Sequence, residues 1–260
     1  DPLAPIGTTS PTYSLYPVLA QIQNCPVVEV ELEQDWSLPA DFATRMNAAG
    51  VKLTLIVNPH APTGKLFSKE RVRELASELD SVLLIDEAYI DFVDPDLNHD
   101  CLSMINEFDN LVFLRTLSKG YSLAGLRFGY GIGAESLIGP MIEKTRDSYN
   151  LDLLSQKVAV AGIADQTYAA GTWLKTRAER GHLTDALNNL GYRVLPSQTN
   201  FLLITPPPGL SALKIQEILK QNDILVRYFS TSRLSDRIRI TIGTSEENLQ
   251  LIETLRSINQ

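Results

Sequence analysis

What most narrows the choice of fold is a repeated alternation: short apolar runs rich in β-branched residues, separated by stretches with helical spacing. Residues 27–31 and 52–57 are such runs, and residues 38–49 between them carry a helical pattern with Pro39 near its start. Ser68 can cap a helix through Leu79, with Glu70 favourably placed in the first turn, and Val82-Leu83-Leu84-Ile85 then begins another strand. Residues 111–115 and 128–132 read as two further strands around a Ser/Gly-containing loop. Continuous apolar runs of this length suit strands buried on both faces, and the helices between them make crossovers rather than hairpins. The expectation is an α/β fold around a largely parallel sheet.

After Gly139-Pro140 the character changes. Residues 151–166 and 171–190 read as long helices, 192–195 and 200–204 as short strands, and 210–220 as a helix. Strands at 224–227 and 237–242 and a helix from Glu246 complete the chain. This predicts a large unit over residues 1–150 and a smaller α+β unit over residues 151–260, a division that a chain of 260 residues can support. Pro206-Pro207-Pro208-Gly209 is a tight loop, too short to link domains.

Charge and metal-ligand chemistry remove several function classes. Lys and Arg number 23 against 31 Asp and Glu, a net charge of −8, so a general nucleic-acid or anionic-membrane surface is not expected and any anion has to be met locally. Cys25 and Cys101 form no close-spaced pair, and His60, His99 and His182 lack ligand spacing, so neither a metal nor a disulfide framework is expected. His60 and His99 are read as surface or loop histidines. No apolar run approaches a bilayer span, and a reduced, cytoplasmic enzyme fits best. The opening Asp1-Pro2-Leu3-Ala4-Pro5 has neither an initiator Met nor a targeting pattern, which reads as a processed, truncated or incompletely represented start.

In open parallel sheets, ligands sit outside the carboxyl ends of the strands, so the polar residues that follow apolar runs carry the functional signal. Three segments qualify. Asn58-Pro59-His60-Ala61-Pro62-Thr63-Gly64 is a rigid turn, although Pro/Gly turns are common as plain loops. Asp86-Glu87-Ala88-Tyr89 places a carboxylate at the end of a buried strand, where it stays ionised only opposite a cation or strong donor; a local cap is the bland alternative. Arg115 to Arg127 contains Ser118-Lys119-Gly120 and Gly125, with a hydroxyl and a guanidinium suited to phosphate, whereas a lone lysine is normally a solvated surface group.

The order of these pieces resembles the fold-type I aminotransferases that use pyridoxal 5'-phosphate (the PLP-transferase type I fold). Leu123-Ala124-Gly125-Leu126-Arg127-Phe128-Gly129-Tyr130, Ile85 to Phe92, Arg239-Ile240-Thr241-Ile242-Gly243-Thr244 and Pro11-Thr12-Tyr13-Ser14-Leu15-Tyr16 are similar to the histidinol-phosphate aminotransferase family within them. The resemblance runs from about Pro11 to the C-terminus. It implies that Lys119 ties the cofactor covalently and moves the substrate's α-proton, that Asp86 keeps the pyridine nitrogen protonated, and that Tyr89 donates to the ring's 3-oxygen. It further implies Ser118 and Arg127 at the cofactor phosphate and Tyr13 stacked on the ring. Arg239 would grip the substrate carboxylate, with Arg227 beside it for a phosphate or second carboxylate, although the alternation of Ile238, Ile240 and Ile242 leaves a solvent-facing Arg239 open. The implied partners are L-histidinol phosphate and 2-oxoglutarate, in histidine biosynthesis, with a second copy of the chain in a homodimer.

Two departures qualify the resemblance. Ala61 stands where the family usually has an asparagine that meets the 3-oxygen, and the family's glycine-rich phosphate turn and N-terminal arm do not precede Pro11. Weaker cofactor retention is expected of the 260 residues alone. Competing expectations are another enzyme on the same fold, such as an aromatic aminotransferase or a threonine-phosphate decarboxylase, and a non-catalytic remnant.

Overall fold

The computed structural model describes residues 3–258; the expectation of a processed, truncated or incompletely represented start, so far as it rests on Asp1 and Pro2, lies outside the described residues. Six strands form the first sheet: β1 (Ile6–Ser10), β2 (Val27–Glu31), β3 (Leu53–Val57), β4 (Val82–Asp86), β5 (Leu111–Thr116) and β6 (Gly129–Gly133), in spatial order β2-β1-β3-β4-β5-β6. All pairs are parallel except β5 with β6. The helices between them are α1 (Leu15–Ile22), α2 (Phe42–Ala48) and α3 (Lys69–Glu78). Phe42 and Met46 of α2, Val72 and Leu75 of α3, and Leu83, Ile85, Leu111 and Phe113 of the central strands share one fully apolar core. Ser68 caps α3 by accepting from the Arg71 N–H at 3.2 Å.

The second half contains α4 (Glu135–Lys144), α5 (Leu153–Ala164) and α6 (Gln166–Asn189). It continues through β7 (Arg193–Val194), β8 (Phe201–Thr205), α7 (Ala212–Gln221), β9 (Arg227–Tyr228), β10 (Ile238–Thr241) and α8 (Ser245–Ile258). Its four strands form a separate antiparallel sheet in the order β7-β8-β10-β9. Leu183 and Leu187 of α6, Ile215 and Leu219 of α7 and Leu251 and Leu255 of α8 cover Leu202, Ile204, Ile238 and Ile240 on one face of that sheet. The fold is therefore the mixed, mostly parallel α/β architecture expected.

Several boundaries differ from the sequence reading. The strand β1 was not expected, because Ile6-Gly7-Thr8-Thr9-Ser10 has a single large apolar residue. It is nevertheless the second strand of the sheet, with Thr8 and Thr9 fully buried and their hydroxyls bonded to Leu55 O and Pro11 O. Helix α4 runs through Pro140, where a change of element was read, and α6 begins at Gln166 and passes through Gly171 rather than starting there. Asp165 supplies the signal for that earlier start by accepting from the Tyr168 N–H at 3.1 Å.

Helix α6 touches both sheets' surroundings. Trp173 Nε1 donates to Gly120 O at 2.6 Å in the loop after β5, and buried Arg180 donates to Phe92 O (2.9 Å) and Thr199 O (3.0 Å). A second tie comes from Arg233, which donates to the carbonyls of Leu32 and Glu33 and stacks 4.5 Å over the Trp36 ring. Among the described residues no helix is long and apolar enough to cross a membrane.

Candidate active site

The parallel register puts the polar segments side by side. Val57 pairs with Asp86 across β3 and β4, and Asp86 with Leu114 across β4 and β5. The loops that leave β1, β3, β4 and β5 at their carboxyl ends therefore converge, carrying Tyr13 and Tyr16, Asn58 to Gly64, Asp86 to Tyr89, and Ser118 and Lys119. The turn after β3 is fixed internally: Asn58 brackets the Phe67 backbone, accepting from its N–H at 2.9 Å and donating to its carbonyl at 3.1 Å. Gly64 closes that turn with φ of +83°, and a Cβ there would run into Ser197.

Asp86 is buried, at 8% exposure. Burial pushes its carboxyl above the usual range, opposed by the Tyr16 hydroxyl, the Ala88 N–H and the charge of Lys119. The Tyr16 phenol donates to Oδ2 and the Ala88 N–H to Oδ1 at 3.0 Å. Lys119 Nζ lies 5.8 Å from the centre of the Tyr89 ring, so the acid, the phenol and the amine face one another. Tyr89 packs edge-on against Phe201 of β8 at 5.1 Å. Beneath them Tyr16, Leu55, Val57, Ala61 and Phe201 form a small buried apolar floor.

The two arginines arrive from the other sheet. Arg239 on β10 pairs in register with Arg227 on β9, and the guanidinium groups lie 5.9 and 5.6 Å from the Phe229 ring centre. Arg239 also lies 4.8 Å over Phe201, the ring that supports Tyr89, so it is half-buried and faces the site rather than solvent. Burial lowers its affinity for a proton, with the Tyr89 phenol acting in the opposite sense. Among the described residues neither arginine has an ion-pair partner. A cleft of about 780 Å³ opens here, lined by Tyr13, Ala61, Arg227, Phe229 and Arg239 among others. It is large enough for a small molecule and cationic on one wall.

Ser118 and Arg127 are not brought together in the same way. The Ser118 hydroxyl accepts from Thr116 Oγ1 at 2.9 Å. Arg127 is exposed, has φ of +56°, and donates to Ala124 O of its own turn at 3.0 Å. Tyr13 is 45% exposed and stands edge-on to Tyr16, 5.5 Å between ring centres.

Three contributors were missed in the sequence. Tyr16 lies in the quoted Pro11 to Tyr16 motif, three residues after Tyr13, but its partner is 70 positions away. Phe201 carried no signal beyond β-strand hydrophobicity. Glu87 is 1% exposed and receives Arg115 Nε and Nη2 at 2.7 Å, while burial raises its carboxyl to about 7 against that pull. His60 is in a loop, as read, but fully buried. Its Nε2 donates to Pro11 O at 3.2 Å and its Nδ1 accepts from Thr63 Oγ1 at 2.8 Å, tying the turn after β3 to the segment after β1.

With a lysine, a buried carboxylate and a phenol gathered at the carboxyl edge of this sheet, comparison with known proteins assigns the class. The chain belongs to the class I and II aminotransferase family, pyridoxal-phosphate-dependent enzymes whose family model matches residues 2–255. More closely, it is similar to histidinol-phosphate aminotransferase 1 of Trichormus variabilis, 42% identical over 248 residues that span 95% of this chain and 68% of that protein. Among solved structures it is similar to the histidinol-phosphate aminotransferase from Clostridium acetobutylicum, with a TM-score of 0.90 at 25% identity, covering 99% of this chain and 78% of that one. The Sinorhizobium meliloti histidinol-phosphate aminotransferase in complex with pyridoxal-5'-phosphate gives the same TM-score and identity over 99% of this chain and 70% of that one.

Proposed function

We propose that the chain transfers an amino group between L-histidinol phosphate and 2-oxoglutarate, in histidine biosynthesis, with pyridoxal 5'-phosphate held at the carboxyl edge of the parallel sheet. The observation that carries this reading is Asp86: a buried carboxylate with two donors and an amine opposite it is the group that a cationic ring N–H requires. The donor set fits the coenzyme. Lys119 would hold it through its amine, Asp86 would face the ring nitrogen, Tyr89 the 3-oxygen, Tyr13 the ring face, and Ser118 and Arg127 the phosphate. For Arg127 this means releasing the Ala124 carbonyl. When bound, the coenzyme supplies an electron sink for the bond broken at the substrate's α-carbon.

The remaining steps belong to the chain's own residues. Lys119 Nζ would take the proton from the substrate's α-carbon as base and deliver it as acid to the coenzyme carbon on the far side of the shared nitrogen. Asp86 stays anionic and keeps positive charge on the facing ring nitrogen. Arg239 clamps a carboxylate of the keto-acid or amino-acid partner, and Arg227, exposed on the edge strand β9, meets the phosphate or second carboxylate. Two guanidinium groups that share one aromatic ring and have no ion-pair partner among the described residues support a dianionic substrate.

We also infer two domains, residues 1–150 and 151–260, supported by the two separate sheets and by a core cluster confined to the second half, with Leu203 and Leu234 of that half joining the core of the first, and a cytoplasmic setting for a biosynthetic enzyme. Self-association as a homodimer is supported by large apolar side chains left in water, including Leu153, Leu154, Val160 and Leu174. The test of function is a two-stage absorbance experiment on the loaded enzyme. Histidinol phosphate should bleach the coenzyme band and 2-oxoglutarate should restore it, with glutamate as product. Carbon dioxide release without a keto product would instead identify a decarboxylase.

A further inference from the structure

The residues immediately around Asp86 point to a role for a side chain that the reading above leaves unused. We propose that Tyr16 is a positioning residue for the reaction: its phenol, fixed on helix α1, donates to Oδ2 of Asp86, holding that carboxylate anionic and turned toward the coenzyme's ring nitrogen. The inference rests on the proposed role of Asp86 opposite that nitrogen.

The geometry is specific. Tyr16 is 6% exposed, sits in the apolar floor with Leu55, Val57, Ala61 and Phe201, and has a backbone anchored by its N–H to Tyr13 O at 3.1 Å. Its hydroxyl reaches Asp86 Oδ2, while the Ala88 N–H takes Oδ1. Each carboxylate oxygen thus has one fixed donor and keeps a lone pair free, so the carboxylate cannot rotate without breaking both bonds. The ionisable groups facing this pair are Tyr13 ahead of α1, Tyr89 after β4 and Lys119 after β5, with Arg239 of β10 behind Tyr89.

A phenol suits this task because it is a donor without a charge. A lysine or arginine here would neutralise Asp86 outright and compete with the ring nitrogen for it, whereas a neutral donor favours the anion and leaves its charge available. Burial, followed by the adjacent Asp86 charge, pushes the Tyr16 hydroxyl far above the ordinary phenol range, so it remains a donor throughout the working pH range. Tyr13 and Tyr16 then divide the work of one short segment, the first beside the cleft and the second beneath it.

The direct test is a carbon-13 carboxyl titration of Asp86 in the coenzyme-free chain, wild type against Tyr16→Phe, together with the pyridoxal phosphate dissociation constant of each. Losing a hydrogen bond to a charged acceptor should raise the Asp86 midpoint by roughly one pH unit or more and weaken coenzyme retention roughly 10- to 100-fold. It should also lower kcat with little change in KM. If Tyr16 only fills space, Phe fills it equally well, the midpoint stays where it was, and the proposal is overturned. Should Tyr16→Phe fail to fold, 3-fluorotyrosine at position 16, a stronger donor of nearly the same shape, should lower the Asp86 midpoint, and an unmoved midpoint again overturns it. Because the titration uses no coenzyme, it stands or falls separately from the reading of Asp86 as the ring partner. That reading fails instead if Asp86→Asn retains and turns over the coenzyme as wild type does.

Discussion

At the scale of single residues, the chemistry rests on a few side chains whose environments differ sharply. Lys119→Ala should abolish transamination while leaving the far-ultraviolet circular dichroism unchanged, because the side chain is exposed and belongs to no core cluster. Asp86→Asn should keep the fold but lower kcat by roughly 100-fold, since a neutral amide cannot hold positive charge opposite it. His60 makes a separate prediction about stability. Burial lowers its pKa from 6.5 to about 4, so as pH falls below 6.5 the unfolded chain takes up this proton before the folded one does. Stability from the neutral ring is present above 6.5 and lost on the way to pH 4, by on the order of 3 kcal/mol. His60→Gln, an amide that does not titrate, should flatten that decline in urea midpoints measured at pH 7 and 4.5. An equally steep decline would show that other groups carry it. Asp86 and Lys119 were legible in the sequence because the first ends an apolar strand run and the second lies in the loop that follows one. The Tyr16 contact was not, because the partner of a buried phenol is chosen by the register of strands far away in the chain.

At the scale of elements, legibility followed burial. The strands β3, β4 and β5 were read to within one residue because central strands in a parallel sheet show as largely apolar runs, and the edge strand β2 was legible from its three valines. The threonines of β1 hid it, since Thr8 bonds Leu55 O, a carbonyl that the neighbouring strand supplies, while Thr9 bonds Pro11 O two residues on. The strand expected at 224–227 is reduced to Arg227–Tyr228, the edge of the small sheet, where only β10 offers a partner. Helix α6 has the largest span and the most to lose at one position. Arg180 is buried without a carboxylate partner among the described residues and closes Phe92 O, Thr199 O and Gln198 Oε1. Arg180→Met should cost about 2–4 kcal/mol by stranding buried acceptors, read as a lower urea midpoint. An unchanged midpoint would mean that water replaces the guanidinium there.

At the scale of the whole molecule, the parallel sheet supplies the acid, the phenol and the amine, and the antiparallel sheet brings the paired arginines alongside them, Arg239 and Tyr89 both packing on the Phe201 ring. The sequence reading captured both units because their patterns differ in kind, but which faces meet is decided by ties such as Trp173 to Gly120 and Arg233 to Leu32, which no local pattern records. The exposed apolar residues make a prediction here: light scattering should give twice the chain mass, and Leu153→Glu with Leu154→Glu should shift it toward the monomer. A monomeric wild type would remove the homodimer from the account. The central claim, that one amine carries the coenzyme, has a more direct test. Pyridoxal phosphate is added to the chain, the adduct is reduced with borohydride, and the modified peptide is mapped by mass spectrometry. The account predicts a single phosphopyridoxyl group on Lys119, and label confined to any other lysine, or no label at all, would contradict it.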